Sequence, residues 1–360
     1  MIPVTKPYLP PVESYQNLVS DIWNRRWLTN HGPLVNELEE KLRRYIDNPY
    51  LLFVSNGTVA LQIAIKALNL KGEIITTPFS YVATTSSILW EQCKPVFVDI
   101  EESSFNIDPT KIEEQITSKT TAILATHVFG NACEIEKIEE IANKYNLKVL
   151  YDAAHCFGTG YKGQSIFNYG NISVCSFHAT KLFHTIEGGG IICNSGVLHE
   201  KSTLLRNFGH TSPITFGDIG INGKNSEFHA AMGLCCFDDL ESIMLRRKEQ
   251  WLYYRDVLTE ISGIKLLKIH PDIKYNYSYF PVVFDSEGTM FRVIEALNAN
   301  YIIPRRYFFP SLNKLKFLEK PEACPISESI SSKIICLPLY HDLKIHEQDL
   351  IVSILKKHLS

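Results

Sequence analysis

The feature that most constrains the fold of this chain is an alternation of short apolar runs with amphipathic helical stretches. Such runs, several of them rich in β-branched residues, are typical of strands buried in a parallel sheet. Helix candidates lie between them, for example at 81–90 and 134–145. The strand candidates occupy 51–54, 73–77, 95–100, 121–128, 147–151 and 172–177. The alternation predicts an α/β fold, with a mostly parallel sheet flanked by helices on both sides.

The pattern changes after about Met232. A long charged helical stretch at 238–261 is followed by a strand candidate at 277–284 and by helix candidates at 290–298 and 346–359. A chain of 360 residues with 45% hydrophobic content is long enough to bury two cores. We therefore expect a large domain at 1–237 and a smaller C-terminal α+β domain at 238–360.

Lys181 follows the apolar run at 172–177 and precedes a Glu-Gly-Gly-Gly segment at 187–190. A lysine at the edge of a buried strand is partly desolvated, and desolvation favours the neutral amine that attacks an aldehyde. The alternative is an ordinary solvated lysine after a strand. The residues around it favour a Schiff-base lysine.

Asp152 stands at the end of another apolar run, at 147–151. A carboxylate at this edge of the sheet can face the same site as Lys181. Pyridoxal 5'-phosphate needs such an acid to keep its ring nitrogen protonated, so that the ring acts as an electron sink. The alternative for Asp152 is a helix N-cap before Ala153 and Ala154. Together with Lys181, the cofactor role is favoured.

A third element is the small polar turn Ser-Asn-Gly-Thr at 55–58, which leads from a strand into a helical stretch at 61–68. A helix N-terminus that begins with Gly57 and Thr58 offers free backbone N–H groups and a hydroxyl, which suit a phosphate. The turn matches neither the G-x-G-x-x-G fingerprint nor a P-loop, so a dinucleotide or a nucleoside triphosphate is not indicated. Plain loop punctuation is the alternative.

These residues resemble those of the nucleotide-sugar aminotransferases of the DegT/StrS type, which are fold-type I enzymes dependent on pyridoxal 5'-phosphate. The resemblance covers nearly the whole chain. Its motifs are I-P-V-T-K-P at 2–7, W-L-T-N-H-G-P at 27–33, S-N-G-T at 55–58, P-F-S-Y-V-A-T at 78–84, K-P-V-F-V-D at 94–99, D-A-A-H at 152–155, S-F-H-A-T-K at 176–181 and G-I-N-G-K at 220–224.

The resemblance assigns a role to each of these positions. It implies that Lys181 forms the Schiff base with the cofactor, that Asp152 pairs with the pyridine nitrogen and that Tyr81 stacks on the ring. His155 would lie near the ring hydroxyl. The phosphate would be held by Gly57, Thr58 and Ser176, and by Asn222 of the neighbouring subunit, so that a homodimer shares each site.

Each of these positions also has a plainer interpretation. Tyr81 and His155 could be core residues, Ser176 could bond a neighbouring strand, and Asn222 lies in a Gly-rich stretch at 217–223 that is typical of a surface loop. The chain departs from the family pattern in two places. Ile186 stands where glycine is frequent, and Lys224 stands where arginine is frequent.

The activity that the resemblance implies is ping-pong transamination, with glutamate as donor and a nucleotide-linked 4-keto-6-deoxyhexose, dTDP-4-keto-6-deoxyglucose, as acceptor. Amination at C4 is favoured over C3, and a GDP-linked 4-ketosugar is a further alternative. Arg305 and Arg306 could contact the nucleotide diphosphate, or could form a solvated basic turn. A sugar dehydratase would carry histidine in place of Lys181, and a non-catalytic relative has no chemical need for the whole set.

Composition sets further bounds. The net charge of −3 gives no reason to expect nucleic acid or an anionic membrane as a partner. No apolar run approaches the roughly 20 residues of a membrane span, and the N-terminus lacks a signal-peptide pattern, so we expect a cytoplasmic protein. The nine cysteines are dispersed without C-x-x-C spacing, which predicts reduced thiols and no metal site.

Overall fold

The computed structural model describes residues 1–319 and 321–359. Its helices are α1 (Val12–Arg25), α2 (Pro33–Ile46), α3 (Gly57–Ala67), α4 (Val82–Trp90), α5 (Ile135–Tyr145), α6 (Gly196–Arg206), α7 (Glu227–Asp238), α8 (Leu240–Leu258), α9 (Glu287–Ala299), α10 (Pro325–Ser332) and α11 (Ile345–Leu359). No helix within these described ranges has both the length and the apolar content needed to cross a membrane.

The strands are mostly short. They are β1 (Ile2–Pro3), β2 (Leu51–Val54), β3 (Glu73–Thr76), β4 (Lys94–Phe97), β5 (Thr120–Thr126), β6 (Lys148–Asp152), β7 (Gly160–Tyr161), β8 (Gln164–Ser165), β9 (Ile172–Ser176), β10 (Gly189–Cys193), β11 (His210–Ser212), β12 (Thr215–Phe216), β13 (Ile264–Leu266), β14 (Ile273–Lys274), β15 (Phe280–Phe284), β16 (Ile302–Ile303) and β17 (Ile334–Leu337).

A seven-stranded sheet in the order β2-β10-β9-β6-β5-β3-β4 forms the centre of the molecule. Its strands are parallel except β10, which runs antiparallel to both β2 and β9. All six predicted apolar runs coincide with strands of this sheet to within a few residues. The predicted fold class, a mostly parallel sheet with helices, is therefore confirmed. The seventh strand, β10, was not predicted, because its glycines suggest a loop.

Both faces of the central sheet are buried, as the continuous apolar runs predict. Along β2, Leu51 and Phe53 join one core, while Leu52 and Val54 join the other. The first core contains apolar side chains of α2, α5 and α7, and the second contains those of α3 and α6. The carboxyl ends of the parallel strands are therefore held between two helical layers.

A second unit is built on the antiparallel sheet β13-β15-β17. Trp251 of α8 and Met290 of α9 belong to its separate apolar core, together with residues of α11. Ile2 also packs in this core, and β1 pairs with β16, so the start of the chain lies on the C-terminal unit. Helix α7 ends at Asp238 and α8 begins at Leu240. We propose that the domain boundary lies at this break, with β1 added to the smaller domain.

The N-terminus of α2 is satisfied by a side chain from far along the sequence. The carboxylate of Glu227, the first residue of α7, accepts hydrogen bonds from the backbone N–H of Leu34 at 3.0 Å and of Val35 at 2.9 Å. A Cβ at Gly32 would lie 2.5 Å from the carboxyl carbon of Glu227, so glycine is needed for this approach. Because the first N–H groups of a helix have no partner within the helix, this carboxylate joins α2 and α7.

Candidate active site

Lys181 lies in the turn that follows β9, at the carboxyl edge of the central sheet. The turn is closed by backbone hydrogen bonds from Lys181 to the carbonyl of His178 and from Ala179 to the carbonyl of Ile186, both 2.8 Å. The Nζ of Lys181 donates to the hydroxyl of Tyr279 at 3.4 Å. Burial lowers the pKa of Lys181, although Tyr307 and Asp152 oppose this shift. The lysine is therefore held in a desolvated position that favours its neutral form.

Ile186, in the same turn, adopts a left-handed backbone conformation with φ of 66°. This conformation costs little for glycine but is strained for a β-branched residue. Ile186 thus departs from the family pattern by placing a branched side chain where the backbone conformation favours glycine. The turn keeps its shape because hydrogen bonds on both sides of Ile186 hold it.

Asp152 is the last residue of β6, next to β9 in the sheet. Its Oδ2 accepts a hydrogen bond from the hydroxyl of Thr84 at 2.7 Å, and its Oδ1 accepts one from the N–H of Ala154 at 3.2 Å. Burial raises the pKa of Asp152, whereas these two hydrogen bonds and the charge of Lys181 lower it. No helix begins after Asp152 in this described segment, so the N-cap alternative is wrong.

His155 is buried beside Lys181. Its Nδ1 accepts a hydrogen bond from the N–H of Phe129 at 3.2 Å, which leaves the proton of the neutral ring on Nε2. Burial and then the charge of Lys181 hold the pKa of His155 well below its ordinary value. The ring lies nearly parallel to those of Phe129 and Phe308, with centroids 6.1 Å and 5.8 Å away. His155 is therefore a neutral donor in an aromatic setting.

The turn at 55–58 forms the N-terminus of α3, as predicted. The side chain of Asn56 caps the helix by accepting from the N–H of Val59 at 2.8 Å. The N–H groups of Gly57 and Thr58 are in the first turn and have no acceptor within the helix. A Cβ at Gly57 would lie 3.1 Å from the Cβ of Ser176, so the helix end stands directly against the end of β9. The N–H groups at the start of α3 and the hydroxyl of Ser176 thus lie close together, at a place suited to a small anion.

Tyr81 and Asn222 both have accessible side chains. Tyr81 stands just before α4 and is 54% exposed, so the interpretation as a core residue is wrong. Asn222 is exposed, and its side chain forms no hydrogen bond with any residue in the described part of the chain. Its backbone is fixed by a β-bridge to Asn207. Around it lies an exposed apolar group, defined here as the Asn222 patch: Phe208, Ile214, Phe216, Ile219 and Ile221.

The two arginines of the predicted diphosphate contact differ in their surroundings. Arg306 donates to the carbonyl of Ser332 at 2.9 Å, pairs with Glu287 at 3.2 Å and lies over the ring of Phe309. Arg305 is exposed and packs over the ring of Tyr307, without an ion pair to any described residue. Its guanidinium is therefore the one of the two that is available to a ligand.

Two site residues were not predicted from the sequence. Thr84 belongs to the motif at 78–84, and its place in that motif, three residues after Tyr81, is the signal that could have drawn attention to it. Tyr279 reaches Lys181 from the C-terminal unit, and no sequence signal marks it. A cavity of about 1250 Å³ lies elsewhere, against α8, and none of the predicted site residues line it.

Comparisons with known proteins identify the family of this chain. The model of the DegT/DnrJ/EryC1/StrS aminotransferase family matches residues 12–356. A dTDP-4-amino-4,6-dideoxy-D-glucose transaminase of Shigella dysenteriae is 41% identical over 359 residues, 98% of either chain. A protein of the same name from Escherichia coli is 39% identical over 365 residues, covering 99% of this chain and 97% of its own. The structure of DesI, determined in the presence of its TDP-sugar product, matches with a TM-score of 0.94 at 27% identity, covering 99% of this chain and 92% of DesI.

Proposed function

This chain belongs to the DegT/DnrJ/EryC1/StrS aminotransferase family, and from that premise we propose that it transfers the amino group of glutamate to C4 of dTDP-4-keto-6-deoxyglucose. The observation that carries the proposal is the placement of Lys181 and Asp152 at adjacent strand ends, next to the anion site at the start of α3. The two transaminases that match over nearly their full length support the choice of sugar.

The residues present suit pyridoxal 5'-phosphate. The phosphate would be held by the N–H groups of Gly57 and Thr58 and by the hydroxyl of Ser176, at a helix N-terminus that no described carboxylate occupies. Tyr81 presents an exposed ring at the same edge. When bound, this cofactor supplies an electron sink that lets the amino group pass between donor and acceptor.

Lys181 is the residue that we assign to covalent binding of the cofactor and to proton transfer. Because burial lowers its pKa, a larger share of the amine is neutral and can accept a proton at Nζ. The hydroxyl of Tyr279 at 3.4 Å holds the side chain in one position. Without this partner the lysine side chain would be flexible, and ordering it for the reaction would cost conformational entropy.

Asp152 and His155 offer different hydrogen-bonding groups: Asp152 is an acceptor, and His155 is a neutral donor. The carboxylate of Asp152 would accept a hydrogen bond from a protonated ring nitrogen, and its own two hydrogen bonds favour the charged form despite burial. His155 is neutral with its proton on Nε2, so it donates a hydrogen bond to an oxygen without adding a positive charge. Asp152 would therefore suit the nitrogen of a bound pyridine ring, and His155 would suit its oxygen substituent.

We propose that the active form is a homodimer in which Asn222 completes the anion site of the partner subunit. Two features support this. The amide of Asn222 has no partner within the described chain, and the Asn222 patch exposes five large apolar side chains around it. Contiguous exposed apolar surface of this kind marks an interaction site more often than free surface.

The nucleotide diphosphate would be met by Arg305. Its exposed guanidinium packs over Tyr307, and the ring of Tyr307 lies 5.8 Å from that of Tyr279, the hydrogen-bond partner of Lys181. Arginine suits phosphate oxygens because it donates two parallel hydrogen bonds. Arg306 would support the same segment through Ser332 and Glu287. We place the product in the biosynthesis of deoxyamino sugars.

The test is a direct assay. The purified chain is incubated with pyridoxal 5'-phosphate, glutamate and a panel of dTDP-, UDP- and GDP-linked 4-ketosugars, and the products are identified by mass and NMR. We expect a dTDP-linked sugar aminated at C4, and no product with Lys181→Ala. Amination at C3, preference for the GDP-linked sugar, or loss of water without amination would each contradict the proposal.

A further inference from the structure

A chain of three buried hydroxyls ends on Asp152. The hydroxyl of Thr126 donates to the Oγ of Ser80 at 3.1 Å, Ser80 lies 2.7 Å from the Oγ1 of Thr84, and Thr84 donates to Asp152 at 2.7 Å. All four residues are buried. They come from β5, β6, the loop before α4 and α4 itself.

The carboxylate of Asp152 determines the direction in which each of the three hydroxyls donates its proton. A carboxylate only accepts hydrogen bonds, so the single hydroxyl proton of Thr84 points at Asp152. Ser80 must then donate to Thr84, and it accepts from Thr126. Every hydroxyl dipole is thus aligned toward the carboxylate. Aligned hydroxyls polarise one another, so the last bond is stronger than an isolated one.

The other groups near Asp152 do not replace the hydrogen bonds of the three hydroxyls. Lys181 interacts with Asp152 from the turn after β9, but burial lowers its pKa and so reduces the positive charge that it offers. The thiols of Cys156 and Cys175 also interact with the carboxylate. Burial raises the pKa of both thiols, so neither carries a charge near neutral pH. Burial also disfavours the ionised form of Asp152, and hydrogen bonds from hydroxyls are one of the means of opposing it.

We propose that Thr84, supported by Ser80 and Thr126, is a positioning residue that keeps Asp152 ionised and fixes the orientation of its carboxylate. This inference rests on the proposed function, since it gives the reason that Asp152 holds a proton on the ring nitrogen rather than on itself.

The neighbouring residue provides a matched comparison. Thr85 is fully buried on the same helix, and its hydroxyl has no hydrogen-bond partner among the described residues. Thr84→Val and Thr85→Val therefore remove the same atom from adjacent buried positions, and only the first removes a bond to Asp152. A purely structural role for these threonines would make the two variants alike.

The experiment measures the protonation of Asp152 itself. The full-length chain is labelled with ¹³C at the aspartate carboxyl carbons, and the Asp152 signal is assigned by its absence in Asp152→Asn. Because the hydrogen bond of Thr84 stabilises the charged form, Thr84→Val should move the titration midpoint of Asp152 to higher pH, by roughly a tenfold change in its protonation constant. Thr85→Val should leave the midpoint unchanged, and Thr84→Ser should restore it.

A midpoint in Thr84→Val equal to that of the parent chain would overturn the proposal, as would an equal shift in Thr85→Val. If Thr84→Val does not fold, Ser80→Ala keeps the test open. It removes the donor to Thr84 and should produce a smaller shift in the same direction, and no shift would overturn the proposal. The titration requires neither cofactor nor turnover, so a shifted midpoint in a chain without aminotransferase activity would refute the proposed function and leave this inference standing.

Discussion

The Nζ of Lys181 lies 3.4 Å from the hydroxyl oxygen of Tyr279, although the two residues are separated by 98 positions and lie next to different sheets. Lys181 follows β9 of the central sheet, and Tyr279 directly precedes β15 of the smaller one. Trp251 holds the backbone of Tyr279 by donating to its carbonyl at 3.2 Å. The packing of α8 on the smaller sheet therefore determines where the partner of the lysine stands.

Tyr279→Phe should lower the rate of transamination by about five- to tenfold, the effect of removing one hydrogen bond from a group that acts in the reaction. The ring remains, so the fold should be retained. Tyr254→Phe is the control, because the buried hydroxyl of Tyr254 donates to the carbonyl of Pro338 at 3.1 Å and contacts neither Tyr279 nor Lys181. It should reduce thermal stability and leave the rate near that of the parent. Equal rates for both variants would mean that Tyr279 does not assist Lys181.

Replacement of Lys181 should abolish turnover and stabilise the cofactor-free fold. Burial lowers the pKa of Lys181 below its ordinary 10.5, so the folded chain binds fewer protons than the unfolded chain between those two values. The resulting destabilisation is complete below the lowered pKa and disappears as the pH rises toward 10.5. Urea unfolding should show Lys181→Met more stable than the parent at pH 7, with a smaller difference near pH 10. A constant difference across this range would contradict the assigned desolvation.

Asp152→Asn keeps the shape of the side chain and removes its charge. We expect turnover to fall far more than the affinity for pyridoxal 5'-phosphate, because the phosphate contacts at α3 are untouched while the ring nitrogen loses its anionic partner. Turnover is measured with glutamate and the ketosugar, and affinity by titration of the visible absorption band. Near-normal turnover would reduce Asp152 to a structural residue.

Asn222→Ala should weaken retention of the cofactor without altering the pocket that contains Lys181. A sharper measurement mixes Lys181→Ala chains with chains in which the Asn222 loop is disrupted. A mixed dimer carries both lesions in one site and none in the other, so co-refolding should restore activity up to roughly one working site per dimer. An active monomer, or mixed dimers that gain nothing although the loop variant is inactive by itself, would show that the site is not shared.

Ile186→Gly should stabilise the chain, in contrast to most substitutions by glycine. The left-handed conformation of Ile186 costs about 1–2 kcal/mol, and the added backbone entropy of glycine offsets about half of that. Asn146→Gly is the control, because Asn146 also has a positive φ, at 52°, but asparagine tolerates this conformation. The melting temperature should rise clearly for Ile186→Gly and change little for Asn146→Gly. A lower melting temperature for Ile186→Gly would show that its side chain contributes packing that outweighs the strain.

The sequence pattern was sufficient for the central sheet because each parallel strand is buried on both faces and is therefore apolar throughout. Strand β10 escaped prediction because its glycines suggest a loop. A Cβ at Gly189 would lie 2.6 Å from the carbonyl of Asn56, so glycine is needed there for close packing. Thr84 escaped for a different reason. Its partner, Asp152, is 68 positions away, and local periodicity has no information about a contact of that kind.

The bond between Glu227 and the first turn of α2 has a consequence for how the protein is made. A growing chain that has emerged as far as α6 contains all seven strands of the central sheet but lacks the carboxylate 193 residues downstream that satisfies the N–H of Leu34. Until α7 leaves the ribosome, α2 remains uncapped and the apolar face that α7 covers is open to water. The N-terminal two hundred residues therefore expose this apolar surface during synthesis, and we expect the large unit to close only after α7 has emerged.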